Sequence, residues 1–318
     1  MTGNTSPAVR TSCGVGVVVF DPEPAGLVAF LKWASAEASV ILLFQNSPLP
    51  VEAEQLLAEE IGLPVVRLGN GTNAGLGVAY NDFMTYARAN ALSHIALFDQ
   101  DSLPSAGMLG TLVEKMRRLA SHGCKPAVIG PCVVGTGGER YVRPPRRMPA
   151  TGQVADADCT CLEFVISSGS LFDVEAVARI GPFRSDFFID FIDVEWCARA
   201  NALDYSCWMS LATPMTHRLG AGVVRLPLIA LRLTRQPPVR AYTFIRNQIA
   251  MLRLGHVTPR QKLRTLVRLI LHTVFAPLVA HSPRGTAQCI VLGWRHGLQG
   301  RLGPPPLSTL GEEAARNR

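Results

Sequence analysis

Short runs of apolar residues alternate with amphipathic segments along the first third of the chain. The runs are four to six residues long and lie at residues 15–20, 40–44, 64–68 and 95–98. Segments of helical composition lie between them, at residues 24–35, 51–61 and 78–91. Strands that alternate with helices are typical of a parallel sheet, and uninterrupted apolar strands indicate a sheet covered on both faces. This pattern predicts an α/β fold with a mostly parallel sheet.

The pattern is less regular up to residue 217 and then changes. Further strands are predicted at residues 127–130, 161–166, 187–189 and 205–212. Further helices are predicted at residues 103–120, 174–180 and 194–202, and a Gly-, Pro- and Arg-rich stretch at 135–158 is expected to be irregular. Beyond residue 217 the periodicity is helical, with helices expected at residues 239–254, 259–280 and 287–298.

The chain of 318 residues is long enough for one large domain with an appendage. We expect a flexible N-terminus at residues 1–12 and an α/β domain at 13–235. A basic helical region at 236–302 and a flexible C-terminus at 303–318 would follow. The N-terminal residues are polar, and no apolar stretch of about 18 residues is free of charge. Neither a signal peptide nor a transmembrane helix is therefore expected.

Charge divides the chain into two unequal parts. Residues 1–217 contain 15 Lys and Arg against 22 Asp and Glu, a balance of −7. Residues 218–318 contain 16 Lys and Arg against two Glu, a balance of +14. Such asymmetry indicates contact with nucleic acid, an anionic membrane or phosphorylated ligands. The eight cysteines include no C-x-x-C pair, which indicates reduced thiols and no zinc site.

Two carboxylates, Asp99 and Asp101, directly follow the apolar run that ends at Phe98. In open α/β sheets, ligands bind beyond the carboxyl ends of the strands. Mg²⁺ is commonly held by one or two carboxylates together with substrate phosphates. The pair predicts a cation site of this kind, with a solvated turn or a helix cap as the alternative.

A glycine-rich loop precedes the helix predicted at 78–91. Gly75 and Gly77 permit tight backbone conformations and the close approach of a ligand, and Asn73 can cap the helix on which Asn81 lies. The spacing is not G-x-G-x-x-G, which argues against a dinucleotide-binding fold. An ordinary loop between a strand and a helix is the alternative.

Three acids, Asp190, Asp193 and Glu195, fall within six residues. If a helix begins at Ile192, Asp193 lies in its first turn, where the helix dipole favours the ionised carboxylate. An ionised carboxylate can act as a general base on a hydroxyl group. A set of helix-capping acids is the alternative.

Two further side chains have chemistry that suits a phosphorylated ligand. His217 follows the last predicted strand of the α/β region, and a neutral imidazole can complete a cation site. Arg246 lies on a predicted helix, and its planar guanidinium suits a diphosphate. A structural histidine and a solvated basic helix face are the respective alternatives.

Taken in chain order, seven motifs resemble those of the inverting family-two glycosyltransferases with a GT-A fold. More narrowly, they resemble the bacterial rhamnosyltransferases that use dTDP-L-rhamnose to build surface polysaccharide. The motifs are N-A-G-L-G-V-A-Y-N at 73–81, F-D-Q-D-S at 98–102, S-G-S at 168–170, G-P-F at 181–183, F-F-I-D-F-I-D-V-E-W-C at 187–197, H-R-L-G at 217–220 and R-A-Y-T-F-I-R-N at 240–247.

This resemblance implies a role for each matching residue. Asp193 would be the catalytic base, Asp101 and His217 would hold Mg²⁺ or Mn²⁺, and Arg246 would neutralise the leaving group. The nucleotide-sugar pocket would comprise Phe20, Asp21, Gln45, Asn73, Gly77, Asn81, Asp99, Gln100, Ser168, Gly169 and Arg246. The implied reaction is the inverting transfer of L-rhamnose to a lipid-linked or saccharide acceptor in surface polysaccharide (O-antigen) synthesis.

One motif departs from the family. Gln45-Asn46-Ser47 stands where the family has Asp-Asn-x-Ser. Glutamine can hydrogen-bond a base or a ribose, but it brings no charge. A different donor such as a UDP-sugar, and a non-catalytic glycosyltransferase that acts as an assembly partner, therefore stay open as alternatives.

The basic region suggests where the protein is located. Arg260, Arg264, Arg268 and His272 recur every four residues and fall on one helix face, beside a broad apolar surface. Such a helix can lie in the interface of an anionic membrane. We therefore expect a cytoplasmic protein held peripherally on the inner face of the cytoplasmic membrane. Packing on the α/β domain or homo-oligomerisation are the alternatives, and the scarcity of aromatic residues argues against nucleic acid.

Overall fold

The computed structural model describes residues 12–59, 61–134, 145–147, 158–217, 223–226, 231–234 and 236–306. Three expectations concern residues that lie wholly or largely outside these ranges: the flexible termini at 1–12 and 303–318 and the irregular stretch at 135–158. Among the described residues, no helix is both long and apolar enough to cross a bilayer.

A central sheet of nine strands organises the described part of the chain. The strands are β1 (Cys13–Val19), β2 (Val40–Gln45), β3 (Val65–Gly69), β4 (His94–Asp99), β5 (Ser102–Leu103), β6 (Pro126–Val134), β7 (Cys159–Leu162), β8 (Ser170–Asp173) and β9 (Ser206–His217). Their order is β3-β2-β1-β4-β8-β6-β9-β5, and β7 pairs with β9. Two more strands, β10 (Val223–Leu226) and β11 (Leu231–Thr234), form a separate antiparallel pair.

One half of the sheet is parallel and the other half is mixed. β1 pairs in parallel with β2 and β4, and β2 pairs in parallel with β3, as the alternation of strands and helices predicts. β8 then runs antiparallel to both β4 and β6, whereas β6 and β9 are parallel. β5 and β7 are antiparallel to β9. The α/β class is confirmed, and the sheet is mixed rather than mostly parallel.

Helices cover both faces of this sheet. They are α1 (Pro24–Glu37), α2 (Val51–Glu59), α3 (Leu76–Ala89), α4 (Met108–Ser121), α5 (Val174–Ile180), α6 (Ile192–Ala202), α7 (Pro238–Arg253), α8 (Pro259–Val279) and α9 (Pro283–Gln299). Alternate residues of β1 face the two layers, with Val17 packing towards α1 and α4 and Val18 towards α3 and α6. A Cβ on Gly16 would lie 2.6 Å from the ring of Phe83 on α3, so this glycine allows α3 to approach the sheet closely.

The short elements differ most from the sequence prediction. β8 and the pair β10–β11 were not expected, and β5 occupies the start of the helix predicted at 103–120, which begins at Met108 instead. The strand predicted at 187–189 is a 3₁₀ turn at Ser185–Phe187, followed by residues with positive φ. These elements span only two to four residues, too few for hydrophobic periodicity to specify them.

Helix α7 joins the C-terminal region to the sheet domain. Its Met251 is buried in the core that α3 and α6 also form. Its other side packs closely on α9, because a Cβ on Gly293 would lie only 2.8 Å from the carbonyl oxygen of Tyr242. The region predicted as a helical appendage is helical, and its first helix contributes Met251 to the main core.

Candidate active site

The parallel strands bring several predicted nucleotide-binding residues to one edge of the sheet. The register of β1 with β2 and β4 places Phe20, Gln45 and Asp99 at the carboxyl ends of neighbouring strands. Asp21 follows directly and is exposed. Ligands of open α/β sheets bind at such an edge.

Gln100 connects two of these strand ends. Its side-chain nitrogen donates a hydrogen bond to the carbonyl oxygen of Phe20 (2.9 Å), and its side-chain oxygen accepts one from the Phe20 nitrogen (2.7 Å). The sequence placed Gln100 in the nucleotide-sugar pocket. The structure instead engages both polar groups of its amide with the main chain, so Gln100 joins the ends of β1 and β4.

Buried polar residues after β2 organise the adjoining loops. The nitrogen of Asp21 donates to the hydroxyl of Ser47 (2.7 Å), and the nitrogen of Ala74 donates to the side-chain oxygen of Asn46 (2.9 Å). Asn73 is exposed and accepts a hydrogen bond from the Gly75 nitrogen (3.0 Å). The glycine-rich loop at residues 69–77 is thus tied to the ends of β1 and β2.

The glycines of this loop allow it to pack against the chain that leads into α6. Gly75 has a φ of +84°, and a Cβ there would lie 2.6 Å from the carbonyl oxygen of Phe188. A Cβ on Gly77 would lie 2.5 Å from the carbonyl oxygen of Arg184. The resemblance assigned Gly77 to the nucleotide pocket, and its surroundings show a close approach of two backbones.

Asn81 has a comparable structural role. It is half-buried on α3, and its amide donates to the carbonyl oxygen of Phe183 (2.9 Å) and accepts from the Phe183 nitrogen (2.8 Å). The two hydrogen bonds fix the G-P-F segment at 181–183 against α3. Asn81 therefore holds the G-P-F segment in place, whereas the sequence analysis expected it to line the nucleotide pocket.

A serine cluster lies beside Asp99. The hydroxyls of Ser102 and Ser168 are 2.8 Å apart, and the nitrogen of Asp99 points to the Ser168 hydroxyl at 3.4 Å. The nitrogen of Gly169 donates to the carbonyl oxygen of Leu97 (2.7 Å). The structure thus brings the predicted residues Asp99, Ser168 and Gly169 together at the end of β4.

The short strand β5 places Asp101 and His217 near this cluster. Asp101 directly precedes β5, and His217 ends β9, which pairs with β5. Asp101 is exposed, and Ser102, the next residue, pairs with His217 in the β5–β9 register. The side chain of His217 lies outside the described part of the structure. Within that part, no three His, Cys, Asp or Glu side chains form a group that could hold a metal ion.

Asp193 lies in the first turn of α6 and is half-buried. Its carboxylate accepts hydrogen bonds from the nitrogens of Ser167 (3.1 Å) and Val194 (2.8 Å). Burial raises the pKa of Asp193 from 3.8 to about 6, since desolvation outweighs these main-chain donors, and the charge on Asp190 adds to the effect. A carboxylate with such a pKa is suited to accept a proton near neutral pH.

The other two acids of the cluster have cationic partners. Asp190 is bound by Arg240 at 2.6 Å, and Glu195 by Arg199 at 2.9 Å, with His256 3.0 Å away. Of the three acids, Asp193 alone has only main-chain donors among its contacts in the described residues. The sequence assigned the general base to this position, and the geometry leaves its carboxylate suited to that role.

Arg246 requires a correction. It is fully buried, and its guanidinium donates to the carbonyl oxygens of Phe187 (2.9 Å) and Gly303 (2.6 Å) and to the side-chain oxygen of Asn247 (3.0 Å). A group with these surroundings does not face a solvent-accessible diphosphate. The periodicity placed Arg246 on a helix, but it could not show that this face of α7 is turned into the protein.

Two residues at the site were not predicted. The hydroxyl of Tyr80 donates to that of Ser167 at 2.9 Å, and the Ser167 nitrogen holds Asp193. Burial raises the pKa of Tyr80, and the nearby charges of Asp99 and Asp193 raise it further. Tyr80 lies within the motif at 73–81, so that motif could have drawn attention to it. It was not singled out because it falls on an apolar helix face.

The fold resembles that of GT-A glycosyltransferases with solved structures. TarS of S. aureus (1–349) in complex with UDP aligns with 91% of this chain and 92% of its own, at 10% identity and a TM-score of 0.52. GalNAc-T7 with UDP, GalNAc and Mn²⁺ aligns with 86% of this chain and 58% of its own, at 10% identity and a TM-score of 0.51. At such identities the likeness concerns the fold alone.

One relative of known activity is similar in sequence. The dTDP-rhamnosyl transferase RfbF of Shigella flexneri is 24% identical over 265 residues, which are 81% of this chain and 85% of the relative. No family model matches the chain. The resemblance recognised from the motifs is confirmed, and the two likenesses together support a glycosyltransferase with a GT-A fold.

Proposed function

We propose that the protein is a metal-assisted, inverting glycosyltransferase that transfers L-rhamnose from dTDP-L-rhamnose. The observation that carries this proposal is Asp193, a half-buried carboxylate with a pKa of about 6 beside the carboxyl edge of the sheet. The similarity of the chain to a dTDP-rhamnosyl transferase supports dTDP-L-rhamnose as the donor.

The mechanism follows from the position of Asp193. Its carboxylate takes the proton from an acceptor hydroxyl, and that oxygen attacks the anomeric carbon from the side opposite the nucleotide. The new glycosidic bond forms as the bond to the diphosphate breaks, so the configuration inverts and the nucleoside diphosphate leaves. No covalent intermediate between sugar and enzyme is needed.

The proposal includes a divalent cation, Mg²⁺ or Mn²⁺, because Asp101 presents an exposed carboxylate just after the end of β4. When bound, such an ion neutralises charge on the departing diphosphate. Asp101 would hold it with the donor phosphates, and His217 would contribute a ligand from the end of β9. GalNAc-T7 has a similar fold, and its structure contains Mn²⁺, which supports the use of a divalent cation by this protein.

The nucleotide is tested by thermal stabilisation. A ligand that binds only the folded state raises stability, by about 2.7 kcal/mol when present at 100 times its Kd. We expect dTDP with Mn²⁺ to raise Tm more than UDP or GDP does. A stronger effect of UDP would favour a UDP-sugar donor, an alternative consistent with Gln45 and with the UDP complex of TarS.

A non-catalytic assembly partner is the second candidate, and Gln45 is the residue that favours it. Such a protein would bind a nucleotide without releasing it from the sugar. Nucleotide release from dTDP-L-rhamnose would exclude it, whereas stabilisation by dTDP without any release would support it.

We also propose that an apolar face of α8 contacts an anionic membrane, from which a lipid-linked acceptor would be supplied. The exposed fractions of its members range from 41% to 73%, and they are Leu263, Leu266, Val267, Ile270, Val274 and Leu278. At about 100° per residue they fall within an arc of roughly 120°. Leu269, outside this arc, is buried against α7 and α9.

The basic stripe of α8 is partly turned to the protein. Arg264 pairs with Glu163, and the ring of His272 lies 4.4 Å from that of Phe244. The face that remains for a partner is therefore apolar with a basic flank. Because residues 205–311 contain no acid, a second copy that paired through the same helices would bring like charges together, whereas anionic lipid would complement them.

Vesicle flotation tests this surface. We expect binding to vesicles with anionic lipid, weaker binding to neutral vesicles, and loss of binding in the double variant Val267→Ser/Val274→Ser. Val51→Ser, at a more exposed position on α2, is the control and should bind as the wild type does. Equal binding to both vesicle types, or dimerisation without vesicle binding, would contradict the proposal.

A further inference from the structure

The segment that leads into α6 has an unfavourable backbone. Phe188, Asp190 and Phe191 have φ values of +65°, +66° and +64°, although none is glycine. Residues other than glycine avoid this region, and such conformations persist only when the surrounding structure fixes them. Asp193, the proposed base, follows two residues later.

Helix α7 provides the contacts that fix this segment. The side-chain nitrogen of Asn247 lies within hydrogen-bond distance of three carbonyl oxygens, those of Phe187 (3.0 Å), Ile189 (2.7 Å) and Asp190 (3.0 Å). Asn247 is fully buried, and Arg246 beside it donates to the same Phe187 oxygen (2.9 Å). One turn of α7 thus engages the backbone on either side of Phe188.

The side chain of Asp190 is bound to the same helix. Arg240 donates to both of its oxygens (2.6 and 3.2 Å), and the hydroxyl of Thr243 donates at 2.8 Å. Phe191 adds a ring contact with Phe244, with centroids 5.0 Å apart. Backbone, carboxylate and ring are therefore all held from one side.

The opposite side of the segment touches the glycine-rich loop at residues 69–77 and the start of α3. The carbonyl oxygen of Phe188 accepts a hydrogen bond from the Leu76 nitrogen (2.7 Å), and Gly75 packs against the same peptide group. Residues 187–191 are therefore enclosed between the start of α3 and the inner face of α7. A shift of this segment would change the position of Asp193 relative to the donor.

We infer that α7 is a positioning device for the catalytic base, and that Asn247 is its central positioning residue. The inference rests on the proposed function, because it assigns the base to Asp193. Asn247 has no contact with donor or acceptor in this account and acts through the backbone of 187–191. It gives the R-A-Y-T-F-I-R-N motif a role different from the phosphate binding that the sequence suggested.

Two adjacent amides on α7 provide the matched variants. Asn247→Ala removes the contacts with 187–191, whereas Gln248→Ala removes an equally buried amide whose described hydrogen bond goes to Phe244 in its own helix. We expect Asn247→Ala to lower kcat by about 100-fold, as a displacement of about 1 Å can do. Its KM for dTDP-L-rhamnose should change less than threefold, and Gln248→Ala should keep its kcat within threefold. If Asn247→Ala does not fold, Thr243→Val is the milder variant, with a smaller decrease of kcat.

Hydrogen exchange separates the inference from the proposed function. Amides of residues 187–197 should exchange faster in Asn247→Ala than in the wild type or in Gln248→Ala. Faster exchange with unchanged kcat, or equal decreases of kcat in both variants, would overturn the inference while the proposed function stands. A wild-type protein without turnover would overturn the proposed function, and the exchange result would still decide whether α7 holds the segment.

Discussion

At the scale of single residues, surroundings rather than residue type separate the roles of the acids near α6. Asp190 and Glu195 are bound by arginines, and Asp193 by main-chain N–H groups. A carboxylate whose oxygens are engaged by a guanidinium is less available to take a proton from a hydroxyl group. Desolvation without a cation raises the pKa of Asp193 and makes proton transfer near neutral pH favourable.

The pH dependence of the reaction should report this pKa. The ionised form of Asp193 is the active one, so kcat/KM should rise about tenfold per pH unit up to about pH 6 and then level off. Initial rates of dTDP release between pH 4.5 and 8.5 measure this. A profile without an acid limb near pH 6 would contradict the assignment.

The free energy of unfolding should fall with rising pH because of the same group, whereas kcat/KM rises. Asp193 holds its proton up to about pH 6 in the folded protein, but only up to about 3.8 when unfolded. Its favourable contribution is therefore present at low pH and is lost as the pH rises from about 4 to about 6. Urea unfolding across this range should show a steeper fall in the wild type than in Asp193→Asn.

Asp101 should matter for the cation and little for folding, because its side chain is exposed. We expect Asp101→Asn to keep the wild-type Tm without ligand and to lose the extra stabilisation that Mn²⁺ adds to dTDP. Asp82→Asn, another exposed acid, on α3, is the control. An unchanged Mn²⁺ effect in Asp101→Asn would remove Asp101 from the cation site.

At the scale of elements, close helix packing depends on glycines. α9 approaches α7 where Gly293 leaves no room for a Cβ beside the Tyr242 carbonyl. Backbone cannot move aside as a flexible side chain can, so any larger residue must separate the helices. This contact supports α7 from the side opposite the segment 187–191.

Gly293→Ala should therefore destabilise the protein by about 1–3 kcal/mol, the usual cost of overpacking. Gly110→Ala on α4 is the control, because no atom lies within 4 Å of its added Cβ. It should stabilise by about 0.5–1 kcal/mol, since alanine is the better helix former. Urea unfolding of the two variants measures both values, and equal effects would show that the α7–α9 contact is not tight.

The elements also show how far sequence reasoning reaches. The long periodic elements were predicted to within a few residues, as for α8, expected at 259–280 and found at Pro259–Val279. The strand β8 was missed because its four residues lie between a glycine turn and a helix. Asp193 was singled out through its place in the first turn of a helix, and its role as the base stays a prediction. The partners of Gln100, Asn81 and Arg246 could not be predicted. An amide or guanidinium serves a ligand or the main chain equally well, and only the fold decides which is near.

At the scale of the whole molecule, the charge division has a physical interpretation. The acidic part contains the sheet and the candidate carboxylates, which suit a cation and a phosphorylated donor. The part after residue 217 is basic and, in its helices, presents an apolar face. The proposed donor and the proposed membrane surface would then contact two differently charged regions of one chain.

Salt should distinguish these two kinds of binding. The Debye length falls from about 10 Å at 0.1 M to about 3 Å at 1 M, so the attraction of α8 to anionic vesicles should weaken strongly. Stabilisation by dTDP with Mn²⁺ should change much less, because charges in direct contact are screened less than charges a Debye length apart. Vesicle binding that persists unchanged at 1 M salt would show that apolar contact alone is responsible.

The most direct test of the central claim is the reaction of dTDP-L-rhamnose with water as the acceptor, followed by NMR. The wild type with Mg²⁺ should release dTDP and rhamnose whose first-formed anomer is inverted relative to the donor. Asp193→Asn should release neither, although dTDP should still stabilise it. Retention of configuration, or equal release by Asp193→Asn, would contradict an inverting transferase with Asp193 as its base.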